Sequence, residues 1–294
     1  MTVMGIGLLL TTVVGLQAAR EHLPPRTMPA DVSGNLMYVR SPEAISRAAL
    51  SYRMLLADAY WIRALQHFGR ARQVTQGERH YDLLYPLLDL TTSLDPKFNI
   101  AYRFGSIFLT ESPPGGPGRP DLAVTLLKKG LAAQPSRWEY GQDIGFVYYR
   151  QRDYASAADW FGRAAAVPGA PNWLQSLEAV TRTRGGDRST ARQLWYALGT
   201  STEDKWLRNE SARRLRQLDA LDAIDAVSGA IAAYKARTGG LPQTWADLTR
   251  AGYLRGVPLD PDGRPMQLDP KRGVVTLDPQ SPLNPLPTDE EPTP

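Results

Sequence analysis

The chain has 294 residues, enough for one or two domains with a sizeable core, and 43% hydrophobic against 22% charged residues favours a folded protein. A net charge of +4 with scattered arginines and no Lys/Arg block argues against nucleic-acid binding. The absence of cysteine excludes disulfides, thiolate metal sites, cysteine nucleophiles and a lipoprotein anchor.

Val3 to Ala19 (VMGIGLLLTTVVGLQAA) carries no charge and is followed by Arg20 and Glu21. A membrane-spanning helix needs about 17–25 apolar residues, so residues 1–20 are expected to form a transmembrane anchor. A cleaved signal peptide is the weaker reading, because no basic residue precedes the run and Leu16-Gln17-Ala18 makes a poor cleavage site. Residues 21–41 form a linker punctuated by Pro24, Pro25, Pro29 and Gly34. Ser41-Pro42-Glu43 then reads as a helix start, with Ser as N-cap and Pro at the first helical position. That helix is expected over Pro42–Ala71, with Leu50, Met54, Leu55, Ala59, Ile62, Leu65 and Phe68 in helical period. A second is expected over His80–Leu94.

From there a period of 34 residues sets in. Ala123, Ala157 and Ala191 are each followed four residues later by Leu127, Phe161 or Trp195, and three further on by Gly130, Ala164 or Leu198. Ile144, Gly145 and Tyr148 occupy the preceding helix of the best-formed unit, as Phe104, Gly105 and Phe108 do one unit earlier. Gly105 to Gly145 spans 40 residues, six beyond the period, and the surplus falls in the loop Ser112–Pro120. Small residues let helices approach closely, and a large side chain one turn on fills the space beside the crossing. One such unit cannot bury its own apolar face, so several must stack.

These residues and their spacing resemble the tetratricopeptide repeat (TPR) family, most closely over Trp138–Gly169. The resemblance implies a mainly α fold, an α-solenoid of helix pairs over residues 42–219, capped by a helix over Glu203–Leu221. It also implies a concave groove lined by the first helix of each pair. The groove positions fall on Asn99, Tyr102, Ser106, Leu109 and Thr110; on Glu139, Gln142, Phe146, Tyr149 and Arg150; and on Trp173, Ser176, Val180, Thr183 and Arg184. Chaperone-binding members clamp a peptide carboxylate with Lys and Asn, which Gln142 and Phe146 replace here. Arg150 and Arg184 are either holders of an acidic partner segment or solvated surface arginines.

The character changes after residue 219. A helix is expected over Ala220–Thr238, with Ile224, Val227, Ile231 and Tyr234 on one face, stopped by Gly239-Gly240. Gly239, Pro242, Leu248, Asp260, Pro261, Gly263 and Pro265, with a hairpin over Met266–Leu268 and Val274–Leu277, resemble the soluble end of a type II secretion major pseudopilin. The likeness implies a small α+β module over residues 220–278. The hydrophobic pilin helix does not adjoin it, so pilin-type assembly is not implied. Residues 279–294 are rich in proline and acid and are expected to be disordered.

Chemistry leaves little trace. His22, His67 and His80 have no partner at metal-ligand spacing, and His67 is expected on the helix surface. No G-x-S-x-G elbow occurs, and the prolines of Ser112–Arg119 remove the N–H groups a phosphate cradle needs. Asp260-Pro261-Asp262-Gly263 is a turn, with calcium as the alternative. No enzyme activity, cofactor, metal, nucleic acid or small-molecule substrate is expected. The whole chain resembles a bacterial TPR-protein family with this domain order. That likeness implies no activity of its own. The repeats and the apolar N-terminal run lead to the expectation of an inner-membrane scaffold that docks a protein partner in an envelope complex, and the pseudopilin-like end alone points to secretion or pilus machinery as the setting. The alternative is an accessory subunit of a membrane enzyme or electron-transfer complex. The side of the membrane stays open: the positive-inside rule keeps the body cytoplasmic, whereas signal anchors often export the domain they carry.

Overall fold

The computed structural model describes residues 52–74 and 79–287. The expected anchor, linker and start of the first helix lie outside the described residues. Among the described residues the chain is mainly helical, with ten helices and one small antiparallel sheet. The helices are α1 (Arg53–Gln73), α2 (Leu84–Leu94), α3 (Asn99–Thr110), α4 (Pro120–Ala133), α5 (Trp138–Arg150), α6 (Tyr154–Ala165), α7 (Trp173–Arg184), α8 (Arg188–Ser201), α9 (Lys205–Thr238) and α10 (Trp245–Arg250). Strands β1 (Gln267–Asp269) and β2 (Val274–Thr276) pair with Leu268 opposite Val275.

The 34-residue spacing recurs in the local structure that starts the helices. Asp153 caps α6 by accepting from the Ser156 amide at 3.1 Å, and Asp187 caps α8 by accepting from the Thr190 amide at 3.2 Å. One residue before each cap the backbone turns left-handed, at Arg152 (φ 62) and Gly186 (φ 80). Gly carries no Cβ penalty in that region, whereas an L side chain costs roughly 1–2 kcal/mol. Arg152→Gly is therefore expected to stabilise the protein by about 1 kcal/mol, read as a higher urea midpoint at unchanged slope. An unchanged or lower midpoint counts against strain at this turn.

From α1 to α9, each helix packs against the next, and α3 also touches α5. Ala123, Ala157, Ala191, Leu127, Phe161 and Trp195 are all buried, as are Gly105, Gly130, Ala164 and Leu198, while Tyr148 is half-buried. The glycines show how tight the crossings are. A Cβ on Gly145 would overlap the Phe161 ring, and one on Gly105 would stand 2.9 Å from the Leu88 methyls. The loop between α3 and α4 is held down from outside: Arg79 and Tyr81 donate to the Pro114 carbonyl at 2.6 and 3.0 Å. His67, expected on the surface, is half-buried, and its Nε2 is buried without a hydrogen-bond partner. Burial pushes the His67 pKa down.

Two expectations change at the C-terminal end. The helices expected over Glu203–Leu221 and Ala220–Thr238 are one continuous helix, α9, started by Asp204 and stopped by left-handed Gly239 (φ 80). No proline interrupts the sequence between those caps, so the apolar stripe changes partner without the backbone breaking. Leu218 belongs to a core with Ala179, Ala191 and Trp195. Ala220, Val227 and Ile231 belong to another, with Leu248, Met266, Val275, Leu277 and Leu283. The expected boundary at residue 219 thus separates two cores and falls inside a helix.

The second change concerns residues 279–287, expected to be disordered. Leu283 is fully buried in the second core. The buried Gln217 amide donates to the carbonyls of Leu283 and Pro285 at 2.6 and 2.9 Å. Asp260 fixes the same segment from the other side. Its carboxylate accepts from the Asp262 and Arg264 amides at 3.0 and 2.8 Å, and from Ser281 Oγ at 2.7 Å. Those contacts explain Asp260 as a turn residue. Composition alone misses this because a few buried anchors can order a proline-rich segment whose average hydropathy is low.

Candidate functional site

The candidate surface is built from one face each of α1, α3, α5 and α7. On α5, Phe146 is exposed and stands edge-on to Phe161 at 5.1 Å, and Gln142 is half-buried. Tyr149 stands edge-on to Tyr154 at 5.3 Å, and its hydroxyl accepts from Arg184 of α7. The Arg184 guanidinium also lies 5.6 Å from the Tyr149 ring centroid, a cation–π distance. Arg150 is exposed and makes no ion pair among the described residues. The two arginines are therefore unlike: Arg184 is committed to Tyr149, and Arg150 is available. Trp173 is exposed on α7 and meets Trp138 edge-on at 6.0 Å.

On α3 the expected register is displaced by one residue. Tyr102 is wholly buried, with Ser106 and Leu109 buried beside it, so these three pack and do not line a surface. Asn99 is also engaged, its side-chain amide 2.6 Å from the Tyr140 hydroxyl and 2.8 Å from the Gln134 amide. Burial pushes the Tyr102 and Tyr140 hydroxyls up to about 12. Ala101, Tyr102, Gly105 and Ser106 are buried where α5 buries Tyr140, Gly141, Ile144 and Gly145, an offset of 39 residues (101 to 140). Ser106, not Gly105, is the counterpart of Gly145. Gly105 next to it is also at a close contact, with Leu88 and Leu126, so α3 carries two adjacent small buried residues.

The accessible face of α3 is accordingly Ile100, Phe104 and Ile107, exposed by 55%, 51% and 53%. Phe104 contacts Phe108 at 6.4 Å, and Phe108 stacks on Trp61 of α1 at 6.2 Å. Leu65, one turn beyond Trp61 and partly exposed, extends this apolar strip along α1. Between α3 and α5 the strip is edged by a bidentate pair, Arg103 to Asp143 at 2.6 and 3.1 Å. Burial pushes the Asp143 carboxyl up against the opposing pull of Arg103. The surface thus runs from an apolar end on α1 and α3 to a mixed aromatic and cationic end on α5 and α7. Ile100, Ile107 and Leu65 escape sequence reasoning because each sits in the apolar period of its helix, which marks core residues as readily as surface anchors.

Among the described residues, no group of three His, Asp or Glu side chains could hold a metal. No described helix is long and apolar enough to cross a membrane. The surface offers apolar contact, aromatic edges and the available guanidinium of Arg150, groups suited to binding. The chain matches no protein-family model, no curated protein and no solved structure.

Proposed function

We infer that α1 to α8 form four TPR-like helix pairs stacked as a solenoid, and that the protein is a non-enzymatic scaffold docking a partner segment along the first helices of those pairs. The observation that carries this reading is the 34-residue recurrence of cap, left-handed turn and buried alanine at Asp153/Asp187, Arg152/Gly186 and Ala157/Ala191. Sequential helix packing and the exposed strip Ile100, Phe104 and Ile107 support it, since exposed apolar patches of this kind mark interaction surfaces. The apolar run at residues 3–19 supports a single-pass inner-membrane anchor. The helix and hairpin after residue 219 are read as a pseudopilin-like module, and secretion or pilus machinery is the setting we favour.

The test is a pull-down from detergent-solubilised membranes with the full chain and with Phe104→Asp plus Ile107→Asp. Both residues are exposed, so the fold should survive the change. Loss of buried anchors typically costs about 2 kcal/mol or more each, so at least a tenfold loss of the bound partner is expected. Secretion or pilus components among the lost proteins support the favoured setting, and redox subunits support the accessory-subunit reading. Partners retained in full by the variant would sink the docking surface.

A further inference from the structure

A cleft of about 320 Å³ opens between α6, α7 and α8. Its walls are short: Gly162 and Ala165 on α6 face Leu194 and Ala197 on α8, with Glu178 of α7 and Ser201 also lining it. Gly162 and Ala165 on α6 and Ala197 on α8 leave space between the larger lining residues. The cleft is distinct from the docking surface. Gln175, Glu178 and Arg182 share one stripe of α7, whereas Trp173, Ser176, Val180 and Arg184 lie on the opposite stripe. A ligand in the cleft would leave the docking stripe of α7 uncovered.

Glu178 gives the cleft its chemistry. Its side chain is only 13% exposed and fits against Gly162, where a Cβ would stand 2.7 Å from Glu178 Oε2. The cation beside it is shared three ways: Arg182 pairs with Asp159 at 2.7 Å, Glu178 at 3.3 Å and Asp187 at 3.8 Å. Three carboxylates around one guanidinium leave a local excess of negative charge. Burial pushes the Glu178 carboxyl up in spite of Arg182, and Asp159 adds the smallest share of that rise. Apolar walls and an undercompensated carboxylate are complementary to a cation on a hydrocarbon stem.

We propose that this cleft binds an aliphatic primary ammonium group, with its stem against Ala165, Leu194 and Ala197 and its head on Glu178. The group is either a lysine side chain of a protein partner or a free alkyl diamine. Both present the same ammonium and methylene chain, and the probes separate them.

The experiment is an amide-resolved NMR titration of the full chain in non-ionic detergent. The probes are n-butylammonium, 1,5-diaminopentane and N-acetyl-lysine-N-methylamide, with n-butanol and butyrate as controls. Saturable shifts at Ala165, Glu178 and Ala197 are expected with n-butylammonium, with a dissociation constant on the order of 1 mM. The controls should bind at least tenfold more weakly. Glu178→Gln should raise the constant at least tenfold. Ala197→Leu, at an exposed wall position, should abolish the shifts by filling the cleft, and it serves equally if Glu178→Gln does not fold. Saturation by the lysine derivative as well assigns the site to a protein side chain, and saturation by the diamine without it assigns a free amine. Equal shifts from n-butanol, shifts that do not saturate, or an Ala197→Leu variant that binds n-butylammonium unchanged would overturn the proposal.

Discussion

Phe161→Ala is expected to cost about 3–5 kcal/mol, the usual range for deleting a buried aromatic side chain from a core. The ring is wholly buried and lies against Gly145, where no Cβ stands between the helix backbone and the ring face. Neither α5 nor α6 can close that space without moving its own neighbours, so a cavity should remain. Gly145→Ala tests the same contact from the other side. A Cβ there would overlap the ring, and overpacking of this kind costs about 1–3 kcal/mol, partly offset by the roughly 1 kcal/mol helix preference of alanine. The decisive measurement is the double-mutant cycle. Gly145→Ala with Phe161→Leu should lose less than the two single changes together, because the smaller side chain makes room for the methyl group. Urea midpoints followed by circular dichroism report all four species. Additive losses, or a Phe161→Ala loss below about 1 kcal/mol, would show that the crossing is not built on this pair.

The second large effect is expected at Gln217. Its amide bridges two chain segments far apart in sequence, donating to Leu283 and Pro285 while its oxygen accepts from Arg214 at 3.0 Å. Gln217→Ala would leave carbonyls that have lost their donor in a buried setting, at about 2–3 kcal/mol. The same change should release the segment from Asp278 onward, which limited proteolysis detects as new cleavage there. Removal of the chain from Pro279 onward should match or exceed that loss, since it also uncovers the core that Leu283 completes. A truncated protein with an unchanged urea midpoint would contradict a structural role for this end of the chain.

The helical class was legible because the sequence states it physically. The spacing of alanine and large apolar residues marks buried crossings, and Ala157 with Phe161 and Ala191 with Trp195 are indeed buried. Other features were not legible, each for a local reason. The register of α3 is hidden because Gly105 and Ser106 are adjacent, small and both buried. The continuity of α9 is hidden because a change of core partner alters composition just as a domain boundary does. The ordering of residues 279–287 depends on Leu283 and on hydrogen bonds from Gln217, more than sixty residues away in sequence, and no window of local composition contains that information. The surface on α3 and α5 was half legible. Phe146 on α5 and Trp173 on α7 are exposed and Tyr149 is half-buried, while Tyr102 and Asn99 are taken up by packing and hydrogen bonding.

Helix α9 spans 34 residues, so it is about 51 Å long at 1.5 Å per residue. Arg188 and Arg192 of α8 grip its middle through Asp219, Asp222 and Asp225 at 2.5 to 2.9 Å. A single rod clamped at mid-length contributes to both cores, through Leu218 to one and through Ala220, Val227 and Ile231 to the other. Loss of packing at the hairpin end would therefore be felt at the repeats through one unbroken run of helical hydrogen bonds.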